Sequence, residues 1–295
     1  MELPDVLVLG VGGTLGEAWL RALLGGLESA CGLDFRGCEY FVGSSAGSIV
    51  AASLVGGRRP RAGDRATREW TEAAPQEVTD APDWLARAAG AAGRLGSAVA
   101  SPLAGASLAT TAPAGRVLRA AALAAAPHTS RTLQGMADRF DEAGVRFDGR
   151  LRIAAVDRRA GRRVVFGSPG APKATVGQAV HASCAVPWVF APVTIGGREY
   201  VDGGVWSPTN LDAAPAGRGS EVLCIVPTAA PGPFRALTSA ALVRETLALR
   251  GRGATVRTIA PDAASAAAMG PNLMDPSRVE EVLDAAFAQG RALAG

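Results

Sequence analysis

The sequence has a single lysine, Lys173, among its 30 basic residues, and only two histidines, His128 and His181. Positive charge is therefore carried almost wholly by arginine, and a net charge of +3 is too small for a chain that grips nucleic acid. Aromatic residues make up only 5% of the chain, so its interior must be built from aliphatic side chains and closely approaching Ala- and Gly-rich backbone. The four cysteines, Cys31, Cys38, Cys184 and Cys224, fit no zinc-binding spacing. The opening stretch MELPDVLVLG has no basic run ahead of its apolar residues, unlike a signal peptide. Reduced thiols and a cytoplasmic location are the expectation. A long apolar run is missing too. Residues 95–115 are uncharged, but Pro102, Pro113 and many small residues leave too little hydrophobicity for a membrane span.

What is present is 295 residues with 48% hydrophobic and 19% charged side chains, the balance of a folded chain. Short β-branched runs at 5–9, 40–42, 151–156, 163–166, 193–195, 199–201, 221–226 and 256–260 read as strands. Segments with helical spacing lie between many of them, at about 14–27, 46–54, 176–185, 234–250 and 276–292. Asp275 is the expected N-cap of the last helix. This alternation predicts an α/β fold, a three-layer sandwich with a central, mostly parallel sheet. Residues 63–142 read as an inserted helical cap, Ala-rich from Ala86 to Ala126. Residues 1–295 are taken as one domain, because the two most informative motifs lie far apart and make sense only together.

The first motif is Gly43-Ser44-Ser45-Ala46-Gly47, a G-x-S-x-G pattern between a short strand and an apolar helix. A turn this sharp needs flanking residues without a Cβ, here Gly43 and Gly47, and it exposes the Ser45 hydroxyl at the carboxyl end of the sheet. Ser44 and Ser48 are read as bystanders, with Ser48 bonding to its own helix backbone. Serine needs a base. The usual order of serine, acid, then histidine is hard to satisfy, because no histidine follows His181. The second motif supplies a different base: Asp202, at the end of a strand and followed by Gly203 and Gly204. A carboxylate shielded from water there would have a raised pKa and could accept the serine proton. A Ser45–His181–Asp202 triad is the rival arrangement, and an ordinary turn aspartate is the bland one.

Together these motifs resemble the patatin-like phospholipase family, with its G-x-S-x-G and D-G-[GA] pair. Ala182-Ser183-Cys184-Ala185-Val186-Pro187-Trp188-Val189-Phe190-Ala191-Pro192 looks like a further family segment, and the chain opens with a strand and a glycine loop. The resemblance covers about residues 5–212. It implies a patatin-like fold, Ser45 as nucleophile, Asp202 as base, and an oxyanion hole from the N–H groups of Gly12 and Gly13. It implies an acyl-enzyme hydrolase of lipid carboxylic esters that needs neither metal nor cofactor. The family loop G-G-G-x-[RK]-G is altered here: Val11 replaces a glycine and Leu15 the basic residue, which bears on phospholipid preference.

An acyltransferase built on the same dyad and a non-catalytic lipid-binding module are the alternative functions. A dinucleotide site is excluded on pattern, since Leu15 falls where the last glycine of G-x-G-x-x-G belongs. Two arginine groups, at 58–68 and 150–163, are read as solvated faces or, alternatively, as surfaces meeting anionic lipid headgroups at a membrane. Trp188, Phe190 and Trp206 are read as core or, alternatively, as the lining of an acyl pocket, and His128 as a loop residue. The oligomeric state is not legible.

Overall fold

The computed structural model describes residues 1–60, 113–126, 129–230 and 234–294. Most of the expected cap, and His128, lie outside the described residues. In chain order the elements are β1 (Val6–Leu9), α1 (Gly13–Cys31), β2 (Tyr40–Gly43), α2 (Ala46–Val55), α3 (Pro113–Ala124) and α4 (Gln134–Glu142). Then come β3 (Leu151–Asp157), β4 (Arg162–Phe166), α5 (Val176–Cys184), β5 (Val193–Ile195) and β6 (Arg198–Asp202). The last are β7 (Glu221–Ile225), α6 (Arg235–Arg250), β8 (Thr255–Ile259), α7 (Ala263–Met269) and α8 (Val279–Ala292).

The strands form an eight-stranded sheet in the order β5-β6-β3-β2-β1-β7-β8, with β4 also paired to β3. From β3 to β8 every pairing is parallel; β4 and β6 run antiparallel to β3, and β5 pairs antiparallel with β6. Alternate side chains serve the two faces. Leu7 and Leu9 of β1 join a core with Phe41, Ile153 and the apolar faces of α1 and α2. Val6 and Val8 join Val222, Cys224 and Leu249 on the other side. Helices therefore cover both faces, which is why the central strands read as continuous apolar runs.

One strand sets the geometry of the site. Residues 151–153 of β3 pair with β2, and residues 155–157 pair with β6. Strand β4 pairs with Ile153–Asp157, so β2 and β6 must share the opposite edge of β3. They run toward one another. The end of β2, Gly43, lies opposite Ile153, and the end of β6, Asp202, lies opposite Ala155. Two residues of strand, about 7 Å, separate those register positions. The two motifs thus meet on one ruler, although most of the polypeptide between them is elsewhere.

Two features differ from expectation. Asp275 caps a 3-10 turn at Pro276–Arg278, accepting from the Ser277 N–H, and α8 itself begins only at Val279. Helix α7 was not expected, because its run of alanines carries no apolar periodicity; Asp262 caps it by accepting from the Ser265 N–H.

Helix α8 packs backbone to backbone on α1. A Cβ built on Gly26 would lie 2.4 Å from the Phe287 carbonyl oxygen, and one on Gly290 would lie 2.3 Å from that of Leu23. Alanine in place of glycine favours an isolated helix by about 1 kcal/mol. The backbone clash outweighs that gain. Gly26→Ala should therefore destabilise the protein by about 1–3 kcal/mol in urea titration, and a variant as stable as the parent would contradict the close crossing.

Candidate active site

Strand β2 ends in a sharp reversal. Ser44 N–H donates to Leu9 O at 3.1 Å, and Ser45 then takes φ 51° and ψ −125° before α2 starts at Ala46. That backbone region costs an L-residue roughly 1–3 kcal/mol and persists only where its surroundings over-determine it. The surroundings are on hand. Ser45 N–H donates to Ser183 Oγ at 2.9 Å, and Ser183 Oγ donates to Ala154 O at 2.7 Å. Ser48 Oγ donates to Ser45 O at 2.7 Å. A Cβ at Gly47 would stand 2.0 Å from Leu9 O, and one at Gly43 would stand 2.5 Å from Ser48 Cα. Both glycines are obligatory for steric reasons.

Asp202 sits at the end of β6, 5% exposed, with its own N–H donating to Ala185 O at 2.9 Å. Its Oδ1 accepts the Gly204 N–H at 2.6 Å. Its Oδ2 is buried and has no well-formed hydrogen bond. Burial pushes the carboxyl up to about 6, opposed by the Gly204 N–H and by the nearby Ser45 hydroxyl. The serine is thus close enough to favour the charged carboxylate without closing an ideal hydrogen bond. Gly203 is required because a Cβ would lie 2.4 Å from Ala154 O, and one on Gly204 would press on Asp202 Oδ1 at 2.9 Å.

The glycine loop arrives from β1. Gly10 N–H donates to Ile225 O and Val11 N–H to Pro208 O, but the N–H groups of Gly12 and Gly13 meet no acceptor among the described residues. Gly12 is the N-cap of α1 and has no side chain to fill that role; the first turn has no acidic residue. Helix N-termini left open in this way attract an anion. Gly13 has φ 61°, and a Cβ there would meet Met274 Sδ at 2.7 Å. Leu15, where the family pattern has a basic residue, is fully buried.

Gly13 and Ser45 line a cleft of about 190 Å³. Its apolar lining comes from Ile49, Leu133, Met136, Val186, Phe190 and Met274, with Glu17 and Arg139 adding charge. Cys184 also lines it, but burial and the Asp202 charge hold its thiol far above the ordinary range, so it stays protonated. Among the described residues no group of three His, Cys, Asp or Glu side chains is arranged to hold a metal ion.

Other expected residues fall elsewhere. His181 is buried in α5, and its Nε2 accepts the Leu133 N–H at 3.2 Å with Thr132 Oγ1 at 3.1 Å. Burial lowers its pKa, and no hydrogen bond links it to Ser45 or Asp202. Trp188, expected in the core, is 38% exposed at φ 70°, because the turn after Pro187 throws it outward. Phe190 is buried as expected. Trp206 is half-buried, with Arg119 and Arg163 guanidinium carbons 4.5 and 5.4 Å from its ring centre. The arginines of 150–163 do not form one face. Arg152 is buried, Arg158 pairs with Glu199, and Arg163 pairs with Asp212.

Three partners escaped the sequence reading. Ser183 lies inside a recognised segment, yet nothing in its type announces that it holds the Ser45 backbone. Asn210 donates to Ser44 Oγ at 2.9 Å, so Ser44 is no bystander. Glu245 is buried at 1% exposure and accepts from Thr209 Oγ1 and Leu211 N–H. The sequence carried no clear signal for Glu245, because the buried face of α6 holds Thr238, Ala241 and Leu249 beside it while Leu237, Val243 and Leu247 are exposed.

Raising the Asp202 pKa has a sign that can be checked. Its folded value, about 6, lies above the ordinary 3.8. The protonated form is favoured on folding, so the fold loses stability as pH rises through about 6. Asp202→Asn should therefore stabilise the protein at pH 7.5 by roughly 2–3 kcal/mol, and by little at pH 3.5. Urea titrations at both pH values test this; equal effects at the two would contradict a desolvated carboxylate.

The sequence profile of patatin-like phospholipases matches residues 7–215. No curated protein matches the chain in direct sequence comparison. Among solved structures, the type III effector protein ExoU is similar over 99% of this chain and 53% of its own, with 19% identity and a TM-score of 0.43. VipD from Legionella pneumophila is similar over 99% of this chain and 67% of its own, with 13% identity and a TM-score of 0.47. The ExoU–SpcU complex of Pseudomonas aeruginosa gives 21% identity over 99% of this chain and 52% of the matched chain, with a TM-score of 0.38. The chain spans about half the length of ExoU. On the profile match, which extends from β1 through the Asp202 turn, the chain belongs to the patatin-like phospholipase family.

Proposed function

We propose that the protein is a serine hydrolase of lipid carboxylic esters that works through Ser45 and Asp202. The observation that carries this reading is the convergence of a strained serine and a buried aspartate with an unpartnered oxygen at one mouth of the sheet. Asp202, ionised above about pH 6, accepts the Ser45 proton as Ser45 Oγ bonds to the ester carbonyl carbon. The carbonyl oxygen becomes an oxyanion against the open N–H groups of Gly12 and Gly13. The tetrahedral intermediate collapses, the C–O bond to the alcohol breaks, and Asp202 returns the proton to the departing oxygen. Water, deprotonated by Asp202, then attacks the acyl-serine; the bond from the acyl carbon to Ser45 Oγ breaks, Asp202 returns the proton to Ser45 Oγ, and the acid leaves.

The apolar lining of the cleft suits an acyl chain. Contact with a lipid surface near the cleft belongs to this reading: the exposed Trp188 lies in sequence between the cleft-lining Val186 and Phe190, and such rings favour an apolar–aqueous boundary. No helix among the described residues is long and apolar enough to cross a membrane.

A fluorophosphonate probe with mass-spectrometric mapping tests the assignment. Ser45 should carry the label, and Ser45→Ala should abolish it. Asp202→Asn should slow labelling by about 10²-fold or more, while His181→Ala changes it little. Ester hydrolysis by the parent should rise with pH through a midpoint near 6. Labelling that survives Asp202→Asn but fails in His181→Ala would replace the dyad with a histidine mechanism.

A further inference from the structure

Asn210 lies outside both sequence motifs, and its side chain joins them. It is fully buried and takes φ 48°, the left-handed region. Its Nδ2 donates to Ser44 Oγ at 2.9 Å, to Gly203 O at 3.1 Å and to Ser207 O at 2.8 Å. Ser44 immediately precedes Ser45, and Gly203 immediately follows Asp202. One primary amide, with two N–H groups shared among three acceptors, therefore spans the two halves of the dyad. Its Oδ1 accepts from Arg163 at 3.2 Å, and Arg163 is itself fixed by a two-pronged pair with Asp212 at 2.5 and 3.0 Å.

The backbone around Asn210 is held from the far side. Glu245 of α6 accepts from Thr209 Oγ1 at 2.5 Å and from Leu211 N–H at 2.7 Å, gripping both neighbours of Asn210. Arg244 pairs with the other carboxylate oxygen at 3.1 Å. A buried asparagine that merely satisfied its own turn would need only Ser207 O. The bond to Ser44, from a segment more than half the chain away, serves no local turn.

We propose that Asn210 is a positioning residue that holds the Ser45 elbow and the Asp202 turn in reactive register, with Arg163 and Glu245 fixing its orientation. The proposal rests on the Ser45–Asp202 reading. Loss of the amide frees Gly203, loosens the Gly204 N–H on Asp202 Oδ1, and removes a contact that lowers the carboxyl pKa.

The test uses the full chain with p-nitrophenyl butyrate, measuring kcat and KM across pH, with thermal melts to give the folded fraction. Asn210→Gly tolerates the left-handed backbone. Its kcat should fall by about 10²-fold, with KM changed by no more than about twofold. The acid limb of its kcat profile should also move to higher pH than in the parent. Ser44→Ala should lower kcat by a smaller factor, and the double variant should be no slower than Asn210→Gly alone. A merely structural role would scale kcat with the folded fraction at every pH and leave the limb in place; that result overturns the proposal. So does parental kcat in Ser44→Ala, which decides the question alone if Asn210→Gly does not fold. Ser45→Ala is run in parallel. Activity surviving in it overturns the Ser45–Asp202 reading on which the brace rests, whereas activity lost there but parental in the Ser44 and Asn210 variants overturns only the brace.

Discussion

The whole arrangement depends on β3 offering a single edge to two strands that approach from opposite directions. Where β2 stops, opposite Ile153, the chain must turn sharply; where β6 stops, opposite Ala155, a second turn begins. Ala154, between them, accepts the Ser183 hydroxyl that holds the Ser45 N–H, and its carbonyl leaves no room for a side chain at residue 203. A single peptide unit of β3 thus disciplines both turns. The register, rather than any direct bond between serine and aspartate, brings the two side chains together.

That juxtaposition is energetically uphill. A non-glycine residue at φ 51° and a carboxylate whose pKa is pushed up to about 6 each cost on the order of 1–3 kcal/mol. Packing elsewhere offsets them. In α1, Leu15, Trp19, Leu20, Leu23, Leu24 and Leu27 are completely buried, each contributing roughly 1.5–3 kcal/mol relative to exposure. Much of this packing comes from the C-terminal region beyond the family profile. Helix α8 meets α1 at Gly26 and Gly290, and Trp19 Nε1 donates to Gln289 Oε1 at 3.1 Å. Leu273 O accepts the Leu15 N–H at 2.9 Å, steadying the first turn of α1 beside Gly12 and Gly13. The last 80 or so residues therefore support the glycine loop from behind.

Much of this was legible before any coordinates. The strands, the parallel sheet and the two glycine-flanked turns could be read because sharp turns demand residues without a Cβ at fixed offsets. Less could be read where side-chain type is a poor guide to position. Trp188 looks like core by composition, yet a left-handed residue after Pro187 turns it outward. Ser183 and Asn210 are ordinary loop and helix polar residues until the fold sets them against Ser45 and Ser44. The arginines of 150–163 look like a basic patch, but strand alternation and separate acidic partners disperse them. The Ala-rich stretch has no periodicity to read, and most of it lies outside the described residues.

The central claim is that Ser45 Oγ, Asp202 Oδ2 and the amides of Gly12 and Gly13 surround one reacting centre. The most direct measurement is a crystal structure of the protein after reaction with an alkyl fluorophosphonate. The account predicts phosphorus bonded to Ser45 Oγ, the phosphoryl oxygen within hydrogen-bonding distance of both glycine N–H groups, and the Asp202 carboxylate facing the serine oxygen. A phosphoryl oxygen turned away from the glycine loop, or an adduct with His181 rather than Asp202 against the serine oxygen, would contradict it.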